Sequence, residues 1–228
     1  MKRIVLTTAL AAMSVAIVLA QGQAQQAHPG MQHDPDKMVA GGGKLPAGWQ
    51  ARLDNASAKI EGVKFEPAGA GFHVTSGPAG IYYKDSQKMS GAYETHATFT
   101  QAEPSAHPEG YGLFIGGADL QGAGQKYTYF LIRQDGKFLI KRRAGADTPT
   151  VANWTENAAI KKADESGKMT NALGIEVGKD KVRFLVNGTE VTSQPLSQVD
   201  TTGVAGLRIN HNLNVHVEGF GAKSATTH

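Results

Sequence analysis

Two runs rich in aromatic and β-branched residues, 127–133 and 137–143, flank the dipeptide Asp135-Gly136. A two-residue type I′ turn needs φ > 0 at both central positions, which Asp-Gly tolerates better than almost any other pair. The stretch therefore predicts a long β-hairpin with Gln134 facing Lys137, Ile132 facing Leu139 and Leu131 facing Ile140. In that register one face carries Phe130, Ile132 and Leu139. The other carries Tyr127, Tyr129, Leu131, Arg133, Phe138, Ile140 and Arg142. Both faces are substantially apolar, so the hairpin belongs in the middle of a sheet and not at its edge.

The rest of the chain repeats the pattern. Short β-like runs at 63–66, 71–75, 80–83, 92–101, 111–117, 172–177, 181–186, 190–193, 204–209 and 215–220 alternate with Gly-rich turn clusters. Within 92–101, Tyr93, Thr95, Ala97 and Phe99 alternate with Glu94, His96 and Thr98, the period of a half-buried strand. Asn187-Gly188 marks a second tight hairpin turn, between 181–186 and 190–193. Many short strands with turn signals between them predict an all-β sandwich. Residues 157–165 offer at most one or two turns of helix.

Domain organisation follows from the ends. Met1-Lys2-Arg3 and the apolar run 4–20 read as a signal peptide over 1–24, followed by a disordered arm over 25–44. The β-sandwich then spans 45–222, with a flexible tail over 223–228. The apolar run is too short and Ala-rich for a membrane span. The expected location is therefore exported, either periplasmic or extracellular. The chain has no cysteine, so burial alone must hold the fold. Loss of Lys2 and Arg3 with the signal would bring the 23 basic residues to 21 against 20 acidic ones. Such a balance does not suit a nucleic-acid partner.

No cofactor and no metal site is expected. The arm holds His28, Met31, His33 and Met38, but at no spacing that closes a soft-metal site. Asp119 stands alone in the loop 116–124, and calcium needs six to eight oxygen ligands. The same Gly-rich loop lacks the lysine and helix of a phosphate cradle.

Two readings stand for each candidate ligand group. Tyr127, Tyr129, Arg133 and Arg142 make either a sugar platform, with aromatic faces and bidentate guanidinium donors, or ordinary cross-strand packing. Trp154 either stacks on a sugar or plugs the sandwich edge. Asn210 and His211 interrupt two strands, where they bind a polar ligand or His211 serves as a general base. Glu94, His96, His211 and Glu218 are the weak candidates for catalysis.

Tyr127-x-Tyr-Phe-Leu-Ile-Arg-x-Asp-Gly-Lys-Phe138, then Trp154, Asn171-Ala-Leu-x-Ile-x-Val177, Val182-x-Phe-x-Val-Asn-Gly188 and Gly203-x-x-Gly-Leu-Arg208 resemble the concanavalin A-like, laminin-G-like jelly rolls. The branch that this chain looks most similar to is the bacterial secreted 3-keto-disaccharide hydrolase-like domains. The resemblance covers about 48–221. It implies two antiparallel sheets forming a jelly-roll sandwich, with ligands held on a concave face or on rim loops. It leaves three functions open: a non-catalytic carbohydrate-binding domain, a glycosidase-like or 3-keto-glycoside hydrolase, and a structural or adhesive envelope module. The Glu-x-Asp-x-Glu strand of sugar-cleaving relatives is missing, which favours binding with carbohydrate as partner.

Overall fold

The computed structural model describes residues 34–225. The expected signal peptide and the arm as far as residue 33, with His28, Met31 and His33, lie outside the described residues, as do 226–228. No helix among the described residues is long and apolar enough to cross a membrane.

The strands in chain order are β1 (Gln50–Leu53), β2 (Val63–Ala68), β3 (Gly71–Ser76), β4 (Gly80–Met89), β5 (Tyr93–Gln101), β6 (Gly110–Ala118) and β7 (Lys126–Arg133). They continue as β8 (Lys137–Ala144), β9 (Thr150–Glu156), β10 (Met169–Val177), β11 (Lys181–Val186), β12 (Thr189–Pro195), β13 (Gly203–Ile209) and β14 (Asn214–Ser224). They form two antiparallel sheets. The first has the order β1-β4-β13-β6-β7-β8-β9, and the second β12-β11-β10-β5-β14-β3-β2. The architecture is the all-β jelly-roll sandwich that the alternation predicts. Only single 3₁₀ turns interrupt it, and the stretch 157–165 forms turns, not a helix.

The inner faces of the two sheets make the main core. Tyr111, Leu113, Phe130, Ile132, Phe138, Ile140 and Leu207 of the first sheet meet Phe99, Leu173, Ile175, Phe184, Val215 and Val217 of the second. Phe130 and Phe184 close the gap with ring centroids 5.3 Å apart. Each such fully buried side chain contributes about 1.5–3 kcal/mol, which is what a cysteine-free sandwich must rely on.

The opening hairpin forms, but its register differs from the prediction by one residue. Arg133 faces Lys137, Ile132 faces Phe138 and Leu131 faces Leu139. Gly136 alone takes a positive φ, of 81°, and its N–H bonds the Arg133 carbonyl at 3.1 Å. The loop is thus a three-residue turn ending in a left-handed glycine. Two local features hold it. The Asp135 carboxylate accepts from Arg133 Nε at 2.8 Å. The Gln134 amide oxygen accepts from Gln101 Nε2 and Ser105. The slip turns every β8 side chain over. Phe138 and Ile140 join Phe130 and Ile132 in the core, while Leu139, Lys141 and Arg143 move to the side of Tyr127, Tyr129 and Leu131. By contrast, Asn187-Gly188 is the expected two-residue turn, with φ of 52° and 79°.

The chain reaches the sandwich through residues that the sequence reading assigned to the arm. Pro35 O accepts from Asn212 Nδ2 at 3.0 Å, Lys37 N–H donates to Asn212 Oδ1 at 2.7 Å, and Gly43 N–H donates to Val63 O at 3.0 Å. Trp49 then anchors the start of the domain against Phe65, Phe72 and Phe220.

Candidate functional site

The first sheet is apolar on both sides. Alternation that sends Phe130 and Ile132 inward sends Tyr127, Tyr129 and Leu131 outward. There they meet Leu139 of β8, Phe114 of β6, Ile81 and Tyr83 of β4, Val204 of β13 and Leu120 of the β6–β7 loop. This second apolar cluster lies on the face turned away from the second sheet.

That face is strongly curved. Arg143 of β8 comes within 3.6 Å of Asp54, which directly follows β1. Five strand spacings separate β1 from β8, roughly 24 Å in a flat sheet, so the face must cup for these side chains to meet. The β6–β7 loop crosses one end of the cup. Gln121 Nε2 donates to Ala51 O at 3.1 Å and to Tyr83 Oη at 2.7 Å, and Gln121 O accepts from Arg52 Nη1 at 2.7 Å. Trp154 of β9 closes the other end. It stacks on Arg133, whose guanidinium carbon is 4.3 Å from the ring centroid, and it overlies Leu131 and the bare backbone of Gly110.

The charged centre of the cup is Asp54 with its arginines. Arg208 Nη1 and Nη2 donate to the two Asp54 oxygens at 2.5 and 2.6 Å. The Arg208 side chain is only 7 % exposed, and its guanidinium stands 5.6 Å from the Tyr129 ring. Burial pushes the Asp54 carboxyl pKa up, but Arg208, then Arg143 and Arg52, override this and hold it below the usual carboxylate range. Burial likewise raises the Tyr129 hydroxyl, against a smaller opposing pull from Arg208. The Nε atoms of Arg143 and Arg208 are buried and have no acceptor.

Of the residues singled out in the sequence, Tyr127, Tyr129, Arg133 and Trp154 come to this face. Tyr127 and Tyr129 are 1 % and 7 % exposed, so their rings are buried within the second apolar cluster and are not open to a ligand, contrary to the platform as predicted. Asn210 lies at the rim: its N–H bonds Gly110 O at 3.0 Å, and Gly110 pairs with Arg133. Arg142 does not share the face, contrary to the platform as predicted. The one-residue slip puts it on the opposite side of β8, where Nε and Nη2 bond Asp200 at 3.0 and 3.1 Å.

The histidine of the 210–212 turn is bracketed by carboxylates. His211 Nε2 is 2.9 Å from Glu109 and Nδ1 is 3.4 Å from Asp36, while Asn210 Nδ2 also donates to Glu109 at 3.0 Å. Glu94, His96 and Glu218 share the outer face of the second sheet, away from His211. Glu94 pairs with Lys223 at 2.8 Å, and Glu218 with His216 at 3.0 Å. Glu218 lies opposite Thr98, four positions along β5 from Glu94. That is roughly 13 Å of strand, and each carboxylate has its own partner, so the two are not paired with each other. Among the described residues no group of three or more His, Asp or Glu is placed to hold a metal ion.

Asp54, Arg143 and Arg208 are the residues that sequence reasoning missed. Arg208 did carry a signal, as a lone charge inside the apolar run 204–209. Arg143 was hidden by the register, and Asp54 reads as an ordinary turn residue in Asp-Asn-Ala-Ser.

No protein-family model and no curated protein sequence matches the chain. Solved structures do. A Bacillus subtilis protein of unknown function with a galectin-like fold is 10% identical with a TM-score of 0.56, over 79% of this chain and 90% of that one. The carbohydrate-binding module CBM66 from Bacillus subtilis is 10% identical with a TM-score of 0.54, over 78% and 96%. A Bacteroides ovatus mixed-linkage glucan GH16 protein, in complex with a G4G4G3G product, is 8% identical with a TM-score of 0.52, over 77% and 94%. At such identities the likeness is one of fold, and it shows the same two-sheet jelly-roll sandwich.

Proposed function

We propose that this chain is an exported, non-catalytic carbohydrate-binding sandwich that takes a saccharide on the cupped outer face of its first sheet. One observation carries the reading. A sheet already buried on its inner side has a curved outer side, with a guanidinium–carboxylate cluster fixed over its buried apolar residues and the partly exposed Trp154 indole at its rim. An indole offers flat apolar surface to the C–H face of a sugar, and arginines offer paired donors to its oxygens. Fixed polar groups within an apolar depression are what orient a small polar ligand. The shared fold of a carbohydrate-binding module and a glycan-bound protein supports the class of ligand. The separation of Glu94 from Glu218, and the locking of Asp54 by Arg208, support binding without hydrolysis. Export rests on the basic start and apolar run of residues 1–24.

Affinity electrophoresis of the protein through gels containing single polysaccharides tests this. The panel comprises cellulosic and mixed-linkage β-glucans, xylan, mannan, levan, pectate and alginate. At least one should retard the protein, and Trp154→Ala should weaken that retardation about tenfold. A folded protein that runs unretarded through every gel would remove the carbohydrate reading.

A further inference from the structure

The cup is over-supplied with positive charge. Arg208, Arg143 and Arg52 all act on the single carboxylate of Asp54. Arg208 takes both oxygens, leaving Arg143 a looser contact at 3.6 Å and a long bond from Nη1 to the Ala146 carbonyl at 3.4 Å, and Arg52 only a backbone carbonyl. Lys141 stands on the same face, opposite Tyr129. Other acids around the face are engaged elsewhere: Asp135 by Arg133, Asp85 by Gln50, Glu109 by Asn210 and His211, and Asp119 by the Gly124 N–H. Charges held away from water are stable only when paired and hydrogen-bonded. Arg143 is 14 % exposed along its side chain, and its Nε is buried with no acceptor. The Nη groups of Arg143 and Arg52, held only by long or backbone contacts, keep donors free in the planar fork that matches an oxyanion.

We infer that the saccharide bound on this face is anionic, with a carboxylate or sulfate group seated against Arg143 and Arg52 beside Asp54. The inference rests on the carbohydrate-binding reading above and narrows its ligand class. The anion supplies the acceptors that Asp54 cannot, while the Trp154 rim takes a sugar ring. Arg208 stays with Asp54 and positions it.

The test compares five probes by isothermal titration and gel retardation: pectate, the same polymer with its carboxyl groups reduced, alginate, dextran sulfate and neutral dextran. Binding of pectate or alginate that falls at least about tenfold on carboxyl reduction, and by a similar factor in Arg143→Gln, supports a carboxylate. Binding of dextran sulfate but not dextran, with the same loss in Arg143→Gln, assigns sulfate. Arg143→Lys should recover only part, since it restores charge without the fork, and wild-type affinity should fall as salt rises. Unchanged melting of the variants separates lost binding from lost folding. Binding confined to neutral polysaccharides, or equal binding before and after carboxyl reduction, overturns the anionic claim and leaves the broader reading standing. Silence across these probes and the neutral panel removes both.

Discussion

Asp54 joins one edge of the first sheet to strands across it, because Arg208 comes from β13 and Arg143 from β8, beside the far edge. Asp54→Ala leaves Arg208 buried without its counter-ion, and breaking such a pair costs about 3 kcal/mol. Urea unfolding of the variant should show that loss. Arg142→Ala makes the contrast. Its bonds to Asp200 are longer, at 3.0 and 3.1 Å, and both side chains are partly exposed, at 35 % and 24 %, so the change should cost less than about 1 kcal/mol. Acid exposes the same difference. The folded pKa of Asp54 lies below its ordinary value of 3.8, so its stabilisation is complete above that value and disappears as pH falls through the lowered one. Other carboxylates shift too, so the comparison needed is with Asp54→Asn. Between about pH 4 and 2 the wild type should lose more stability than Asp54→Asn. Parallel pH curves would show that Arg208 does not stabilise the charged carboxyl.

Turns decide which residues share a face, and two similar dipeptides behave differently here. Asn187 adopts the left-handed conformation because its amide is used twice over: Oδ1 accepts from Ala172 N–H, and Nδ2 donates to Ala159 O. Gly188 follows at φ 79° with open space where a Cβ would stand. Gly188→Val should therefore cost about 1–3 kcal/mol from backbone strain alone, and a melting temperature unchanged within error would contradict it. Asp135 has no comparable reason to turn left-handed, since its carboxylate is held by Arg133 and flanked by Lys137 at 3.6 Å. The dipeptide rule thus located the hairpin but misjudged its loop by one residue. The consequence reached the site, because Arg143 took the face assigned to Arg142. The strands themselves were legible wherever apolar alternation was strong, as in β5, β10 and β11. β1 and β9, the two edges of the first sheet, were missed: Gln-Ala-Arg-Leu and Thr-Val-Ala-Asn-Trp-Thr-Glu carry little alternation because only part of each is buried. Asp54 was not legible at all, since its partners are brought to it only by the curvature of the sheet.

At the scale of the whole molecule, the first sheet has two apolar sides and the sandwich needs only one. The inner side explains folding without disulfides. The outer side carries a second buried cluster with Trp154 and the Asp54–arginine group set over it, and the central claim is that a saccharide sits against Trp154 and those arginines. The most direct measurement is nitrogen-15 chemical-shift mapping with an oligosaccharide cut from whichever polysaccharide retards the protein most. Shifts should centre on the Trp154 indole N–H and on the amides of Leu131, Leu139 and Arg143. Shifts confined instead to the outer face of the second sheet, around His96 and Glu218, would contradict the claim.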